Sequence, residues 1–189
     1  TSKRISIYGN ERVTETVKLA KMNLAVHGLA GDIKESNTYY EDPHDCVGKF
    51  DYVMANPPFN VKKIDKNKDF VKEDPRLPFG TPNNDNGNYM WIQYFHSYLN
   101  NNGRAGFVMA ASATDAGGSE KEIRKKLINS GDIEAIVSIG NNFFYTKSLP
   151  CKLWFLNKNK QDKNSILMID ATRTFDKINS KINEFSLEQ

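Results

Sequence analysis

Asn56-Pro57-Pro58-Phe59 stands directly after the apolar run Phe50–Ala55, and it is here that residue type and spacing first suggest chemistry. Two successive prolines hold both φ angles at about −65° and remove two backbone donors. Pro57 also pushes Asn56 toward an extended conformation. The resulting turn offers acceptors and few donors, which suits the N–H bonds of a planar amine. The exocyclic nitrogen of adenine is such an amine, and a poor nucleophile because its lone pair is delocalised into the ring. If the Asn56 carboxamide oxygen and the Pro57 carbonyl each accept one N–H, the nitrogen is favoured in a pyramidal form whose lone pair faces an electrophilic methyl carbon. No prior proton abstraction is needed, so an uncharged Asn suffices, and the gain comes from preorganised dipoles and in-line positioning. Phe59 offers a face on which a base can stack. The plainer alternative is a turn that merely ends a strand. It is weakened by the location, because open α/β sheets place their ligands at the carboxyl ends of their strands.

The elements around this turn follow from the hydrophobic pattern. Ile5–Tyr8 is β-prone, and Val13, Val17, Ala20 and Leu24 then recur at helical spacing until Gly28 closes the helix as its C′ residue. Residues 29–49 are mostly polar, with a weak strand near Ile33. Phe50–Ala55 is the strand that delivers the turn. Residues 60–88 form a long polar segment, of a length that is usually functional or disordered inside a compact domain. Met90, Trp91, Tyr94, Phe95, Tyr98 and Leu99 make an apolar helical stripe, read as core, and Asn100–Gly103 ends it. Gly106–Ala111 is a buried strand, and Ser119 with Glu122 forms a capping box for the next helix. Ile133–Ile139, Lys152–Asn157 and Ser165–Asp170 are further strands. Alternation of strands and helices predicts an α/β sheet with helices on both faces, mostly parallel. The closely spaced final strands predict an antiparallel hairpin on its edge.

The ordered series of motifs resembles the catalytic domain of N6-adenine DNA methyltransferases, specifically the modification subunit of type I restriction-modification systems. The similarity runs from about residue 5 to about residue 170. Its residues are Tyr8-Gly9-Asn10-Glu11, Ala20–Leu24, His27-Gly28, Phe50–Phe59, Trp91-Ile92, Gly103–Val108, Ile123-Arg124-Lys125 and Phe143–Thr146. The resemblance implies a Rossmann-like fold, S-adenosylmethionine as methyl donor and a flipped adenine in double-stranded DNA as acceptor. It also implies a specificity subunit and a restriction subunit as partners. The family's first strand and glycine-rich loop are expected to precede residue 1, so the chain is read as a partial catalytic domain over 1–170 with a C-terminal extension over 171–189, and as inactive in isolation. Loss of that strand is expected to leave a gap or a rearranged edge in the sheet.

The resemblance further assigns residues. Asn56, Pro57, Pro58 and Phe59 are the catalytic turn, with Asn56 also touching the cofactor. Aligned on Met22-Asn23, Glu11 is the acidic residue that accepts from the ribose hydroxyls; a Glu favoured in a helix's first turn is the competing explanation. Asn37, at the matching distance before the turn, takes the adenine-edge position usually held by an Asp, with Asp32 as second choice. Asn37 is equally suited to an Asx turn. Phe143, Phe144 and Tyr145 fall where the family has an aromatic motif. Phe144 and Tyr145 join Phe59 as stacking candidates, although such a run is more often core. Lys62 and Lys63, followed by Lys66 and Lys68, are placed to meet DNA phosphate, or simply to solvate a loop.

Composition bounds these readings. The 189 residues carry a net charge of +3, 39% hydrophobic and 11% aromatic content, which supports one globular domain and permits nucleic-acid contact without demanding it. Cys46 and Cys151 fit no metal spacing and read as reduced thiols of a cytoplasmic protein, His27, His44 and His96 suggest no metal, and no segment approaches a membrane span. Two rivals stay open. The same turn could serve a methyltransferase of protein glutamine or RNA guanine, and the chain could be a structural module that catalyses nothing.

Overall fold

The computed structural model describes residues 5–83 and 85–189. Thr1–Arg4, and Asn84 in the polar stretch, lie outside the described residues. Two compact units are present: residues up to Cys46 with Asp65–Asp74, and Val47–Ile64 with Pro75–Gln189.

The first unit is a strand–helix–strand arrangement of β1 (Ile7–Glu11), α1 (Thr14–Val26) and β2 (Gly31–Glu35), the two strands parallel and paired from Ile7↔Gly31 to Glu11↔Glu35. Val17, Ile33, Tyr39 and Val71 are among its buried apolar residues. Gly28 adopts φ +65°, a left-handed conformation that its lack of a Cβ permits, and its N–H bonds the Ala25 carbonyl at 3.0 Å while the Leu29 N–H bonds that of Leu24 at 2.9 Å. The short helix α2 (Asp69–Lys72) belongs to this unit. The Tyr40 hydroxyl accepts from the Asp65 N–H at 2.8 Å, and the Lys68 ammonium sits 4.1 Å from the Tyr40 ring centroid.

The second unit is built on a five-stranded sheet of β3 (Phe50–Ala55), β4 (Leu99–Ala110), β5 (Ile133–Ile139), β6 (Cys151–Asn157) and β7 (Leu167–Ala171), in the order β3-β4-β6-β5-β7. All run the same way except β6, which is antiparallel to both its neighbours. The sheet is thus mixed and mostly parallel. The antiparallel strand is internal, however, and the expected edge hairpin does not form: β7 pairs with β5 in parallel instead of with β6. Trp154 explains the insertion. Fully buried and stacked on Phe107 at 6.3 Å, it needs apolar cover on both sides of its strand, which an edge cannot supply.

Helices α3 (Asn88–Tyr98) and α4 (Gly118–Asn129) both cover one face. Tyr89, Ile92 and Phe95 of α3 and Ile123 and Leu127 of α4 pack against Phe107, Met109, Ile136, Trp154 and Leu156. Within this unit the expected second helical layer is absent among the described residues. The other face exposes Tyr52 and Met54, the latter 93% accessible. The expected capping box is also corrected. Helix α4 begins earlier, with Gly117 as N-cap, and the Ser119 hydroxyl accepts from the Asn83 N–H at 2.9 Å.

The long segment after the turn is tied down by buried polar groups of α3. The Gln93 carboxamide accepts from the Phe79 N–H and donates to the Gly80 carbonyl, at 2.9 and 3.0 Å. Arg76, fully buried, donates to the Tyr98 hydroxyl at 3.1 Å and lies over the Tyr94 ring.

At the amino end of β5, opposite the Asn-Pro-Pro turn, Asp132 accepts three partners: its Oδ2 is 2.8 Å from His96 Nε2 and 3.2 Å from Lys158 Nζ, and its Oδ1 is 2.7 Å from Lys163 Nζ. His96 Nε2 also lies 2.7 Å from Lys158 Nζ, so a neutral ring either donates to the carboxylate or accepts from the ammonium. Burial holds His96 below its ordinary pKa, and hydrogen bonds from His96 and Lys163 hold Asp132 below the usual carboxylate range despite its own burial. Both folded-state values are depressed, so the unfolded chain binds more protons as pH falls and stability drops, first below about pH 6.5 through His96 and further below about pH 4 through Asp132. Removing the carboxylate with Asp132→Ala, which leaves half-buried Lys158 uncompensated, is expected to cost about 2–3 kcal/mol, less than the loss of one partner of a fully buried pair. Denaturant titrations at pH 5 and pH 7 check both points: the wild type should be more stable at pH 7, and His96→Gln should lose most of that difference.

Candidate functional site

The turn emerges from β3, which is hydrogen-bonded to β4 through Val53↔Ala105 and Ala55↔Phe107. Val53 and Ala55 face the helical core, so Met54 and the continuing chain turn to the opposite face. Pro57 is buried and anchors the bend, while Asn56 and Pro58 are exposed. Asn56 opens onto a cavity of about 540 Å³ lined by Met54, Gly106, Val108, Leu153 and Phe155. Asn56 thus borders this cavity where β3 ends.

Phe59 and Phe144 are brought together. Their rings meet edge to face at 6.4 Å over the cluster of Ile139, Cys151 and Ala171. Phe143 is committed elsewhere, 4.7 Å from the Phe185 ring and 6.3 Å from that of Phe175. The C-terminal residues close on the same loop, since Asn183 donates its backbone N–H to the Asn142 carbonyl and its side-chain amide to that of Asn141. Tyr145 is 87% accessible and stands apart from the Phe59–Phe144 pair. Lys62 and Lys63 are exposed, and Lys63 takes φ +60° with its N–H bonded to the Asp85 carboxylate at 2.6 Å.

A contact that the sequence did not disclose fixes the residue after Phe59. Asn88, 3% accessible, accepts from the Asn60 N–H at 2.9 Å and donates to the Asn60 side-chain oxygen at 2.8 Å. The only sequence signal was an Asn at a helix start in Asn86-Gly87-Asn88, which reads equally as a cap. Beside it, Tyr89 donates to the Ala113 carbonyl at 2.6 Å, and Arg124 donates to the Tyr89 hydroxyl and the Ala116 carbonyl. Burial raises the Tyr89 pKa, which keeps this donor protonated. These bonds hold the 3-10 turn Ala111–Thr114 after β4 and wall a second cavity of about 310 Å³ between Asn88 and Glu120.

In the first unit, Glu11 is the last residue of β1. One carboxylate oxygen accepts from the Val13 N–H at 2.8 Å, leaving acceptor capacity on the other. The Glu11 carbonyl accepts from the Ser36 N–H at 3.0 Å, which sets Asn37 immediately beyond the end of β1. Asn37 forms an Asx turn, its side-chain oxygen accepting from the Tyr39 N–H at 3.2 Å, so its amide hydrogens are the groups left to present. Asp32 lies within β2, opposite Tyr8, with its carboxylate 3.4 Å from His44 and 3.6 Å from Lys34. Among the described residues no group of three or more His, Cys, Asp or Glu side chains could hold a metal ion, and no helix is long and apolar enough to cross a membrane.

An acceptor-rich turn at a strand's carboxyl end, in a sheet of this order, can now be set beside known proteins. The N-6 DNA methylase family matches residues 1–189. The chain belongs to that family. It is 41% identical to the MjaIX type I restriction enzyme methylase subunit of Methanocaldococcus jannaschii, over 95% of this chain and 33% of that protein. It is 37% identical to the HindI type I restriction enzyme methylase subunit of Haemophilus influenzae, over 88% of this chain and 38% of that protein. Among solved structures, the type I restriction-modification methyltransferase subunit of Streptococcus thermophilus superposes with a TM-score of 0.85 at 28% identity, covering 96% of this chain and 39% of that one. The chain thus spans about a third of the length of the curated relatives that it matches.

The ring contacts separate two neighbouring aromatics. Phe143→Ala, which empties the contact with Phe175 and Phe185, is expected to cost about 2 kcal/mol, less than a fully buried Phe. Tyr145→Ala should stay within about 0.5 kcal/mol of wild type. Thermal or denaturant unfolding of the two variants side by side checks this.

Proposed function

We infer that this chain carries the acceptor turn of a DNA adenine-N6 methyltransferase, the methylating subunit of a type I restriction-modification system. The observation that carries the reading is Asn56. It is an exposed carboxamide on a proline-stiffened bend, open to a cavity at the carboxyl end of β3. The Asn56 side-chain oxygen and the Pro57 carbonyl accept the two N–H bonds of the target amine and turn its lone pair outward. The Phe59 ring, with Phe144 at its edge, offers the apolar surface on which an extruded base stacks. Lys62 and Lys63 meet phosphate. Tyr145, exposed beside Phe144, is available to the same DNA.

S-adenosylmethionine supplies the methyl group when bound. The residues of the first unit fit it: Glu11 retains acceptor capacity for a ribose diol, and Asn37 retains N–H donors for the edge of a purine. Asp32, engaged by His44 and Lys34, fits less well. Residues 1–170 are read as part of the catalytic domain and 171–189 as an extension that braces the Phe143 loop. The relatives are named as subunits of type I restriction enzymes, which supports a specificity subunit and a restriction subunit as partners and a cytoplasmic location.

Radiolabelled donor offered with duplex DNA, RNA and protein acceptors tests the reading, with the full chain and whatever subunits it requires. Label in adenine of duplex DNA is the expected result, and label confined to RNA or protein overturns it. Asn56→Ala should lower the rate of methyl transfer on the order of 10²–10³-fold while DNA binding persists, as for loss of one preorganised hydrogen-bonding group.

A further inference from the structure

The turn contributes few hydrogen bonds of its own, so its shape depends on what grips the residues around it. Asn60 follows Phe59 directly and sits at φ +54°, in the left-handed region that asparagine tolerates better than most residues with a Cβ but that it does not hold unaided. Without support, that residue relaxes and the chain beyond Phe59 swings with it. The support is Asn88. Both halves of its buried carboxamide are spent on Asn60: Oδ1 accepts the backbone N–H, and Nδ2 donates to the side-chain oxygen. The orientation is forced, because the flipped amide would set donor against donor at the backbone N–H.

A local role for Asn88 in its own helix is excluded by the same contacts. No side chain caps α3 at Gly87, and the Asn88 N–H is met by the Asn86 side chain at 3.1 Å. A polar side chain this deeply buried is normally spent on its own element or a neighbour's backbone. This one is spent on a single residue, exposed itself, one step from the aromatic that faces the proposed base pocket.

We propose that Asn88 is a positioning residue for the acceptor turn: by locking Asn60 in its left-handed conformation it fixes where Phe59 and the Pro57 carbonyl are presented. This rests on the reading of Asn56-Pro57-Pro58-Phe59 as the site of methyl transfer. On this proposal Asn88 acts through Asn60, so its removal changes turnover and leaves binding nearly intact.

The test uses the full chain with its natural subunits, duplex DNA and S-adenosylmethionine, and compares Asn88→Ala, Asn60→Ala, their double variant, Asn88→Asp and Asn56→Ala. Asn88→Ala and Asn60→Ala should each lower kcat about 10²-fold, the usual consequence of an ångström-scale misplacement, with KM for DNA within about threefold. The double variant should be no worse than Asn88→Ala alone, because the one bond that Asn60→Ala removes is among the two that Asn88→Ala already loses. Asn88→Asp keeps the acceptor for the Asn60 N–H and should recover part of the rate. Asn60 is exposed, so its variant carries the test if Asn88→Ala does not fold. Unchanged kcat in Asn60→Ala, additive losses in the double variant, or a loss that lies wholly in KM overturns the proposal. A fully active Asn56→Ala sinks the underlying reading and the proposal together, whereas an inactive Asn56→Ala beside a fully active Asn60→Ala sinks the proposal alone.

Discussion

Two adjacent residues without amide hydrogens end β3, and the architecture around the turn answers that constraint. A strand is normally held by N–H bonds to its neighbour, and the prolines can make none. The bend therefore keeps its carbonyls free but must be stiffened by other means. Burial of Pro57 fixes its root, the Phe59–Phe144 contact fixes its far side, and the Asn60–Asn88 bonds fix its exit. Each support is a side-chain contact, so the turn can be rigid without surrendering its acceptors.

Helix α3 makes this possible at both ends of the sheet. It starts at Asn88, beside the turn, and ends where β4 begins at Leu99, so it runs the sheet's full height. It is buried nearly all round, yet it carries a polar residue at successive levels: Asn88 grips Asn60, Gln93 grips Phe79 and Gly80, and His96 reaches Asp132. Buried polar groups of this kind are costly unless every partner is present. Here each partner lies on a loop or strand end, so satisfying the helix and ordering Asn60 and the stretch from Arg76 to Gly80 are one event. The segment's length looked like an invitation to disorder. Its two ends draw their order from the helix that follows it, and Asp65–Lys72 from contacts within the first unit.

Much of this was legible in the residues, and what was not shares one cause. Strands β3 and β5 could be bounded from their apolar runs, the Gly28 helix stop from its position after a periodic stretch, and the bend after β3 from its prolines. These are local properties. The place of β6 was not local: closely spaced strands suggested a hairpin, whereas the burial of Trp154 placed β6 between β4 and β5. Ser119 and Glu122 matched a capping box, yet Gly117 starts the helix and Ser119 bonds a distant loop. Asn88 looked like one polar residue among many in 82–88. Its significance lies in Asn60, far back in sequence, and no window along the chain contains both. Phe143 and Phe144, adjacent in sequence, part company because one meets Phe185 and the other Phe59.

A last consequence concerns which properties respond to acidity. The acceptor turn contains no group that titrates: a carboxamide, a carbonyl and a ring present the same face at pH 5 as at pH 8. Of the groups in this unit held away from their ordinary pKa by burial, Cys151 lies under Phe59 and Phe144 and burial raises it, which keeps the thiol neutral, while His96, Asp132 and Lys158 gather at the amino end of the sheet and Tyr89 lies deep under the 3-10 turn. Protonation at the amino end loosens the base of α3, and α3 is what holds Asn60. Acid therefore acts on the turn through the helix that supports it, as a loss of order and not as a change of charge at the acceptor atoms. On the proposed reading, the groups that accept the amine keep one charge state over the range in which the fold is intact, and that range responds to a cluster at the opposite end of the sheet.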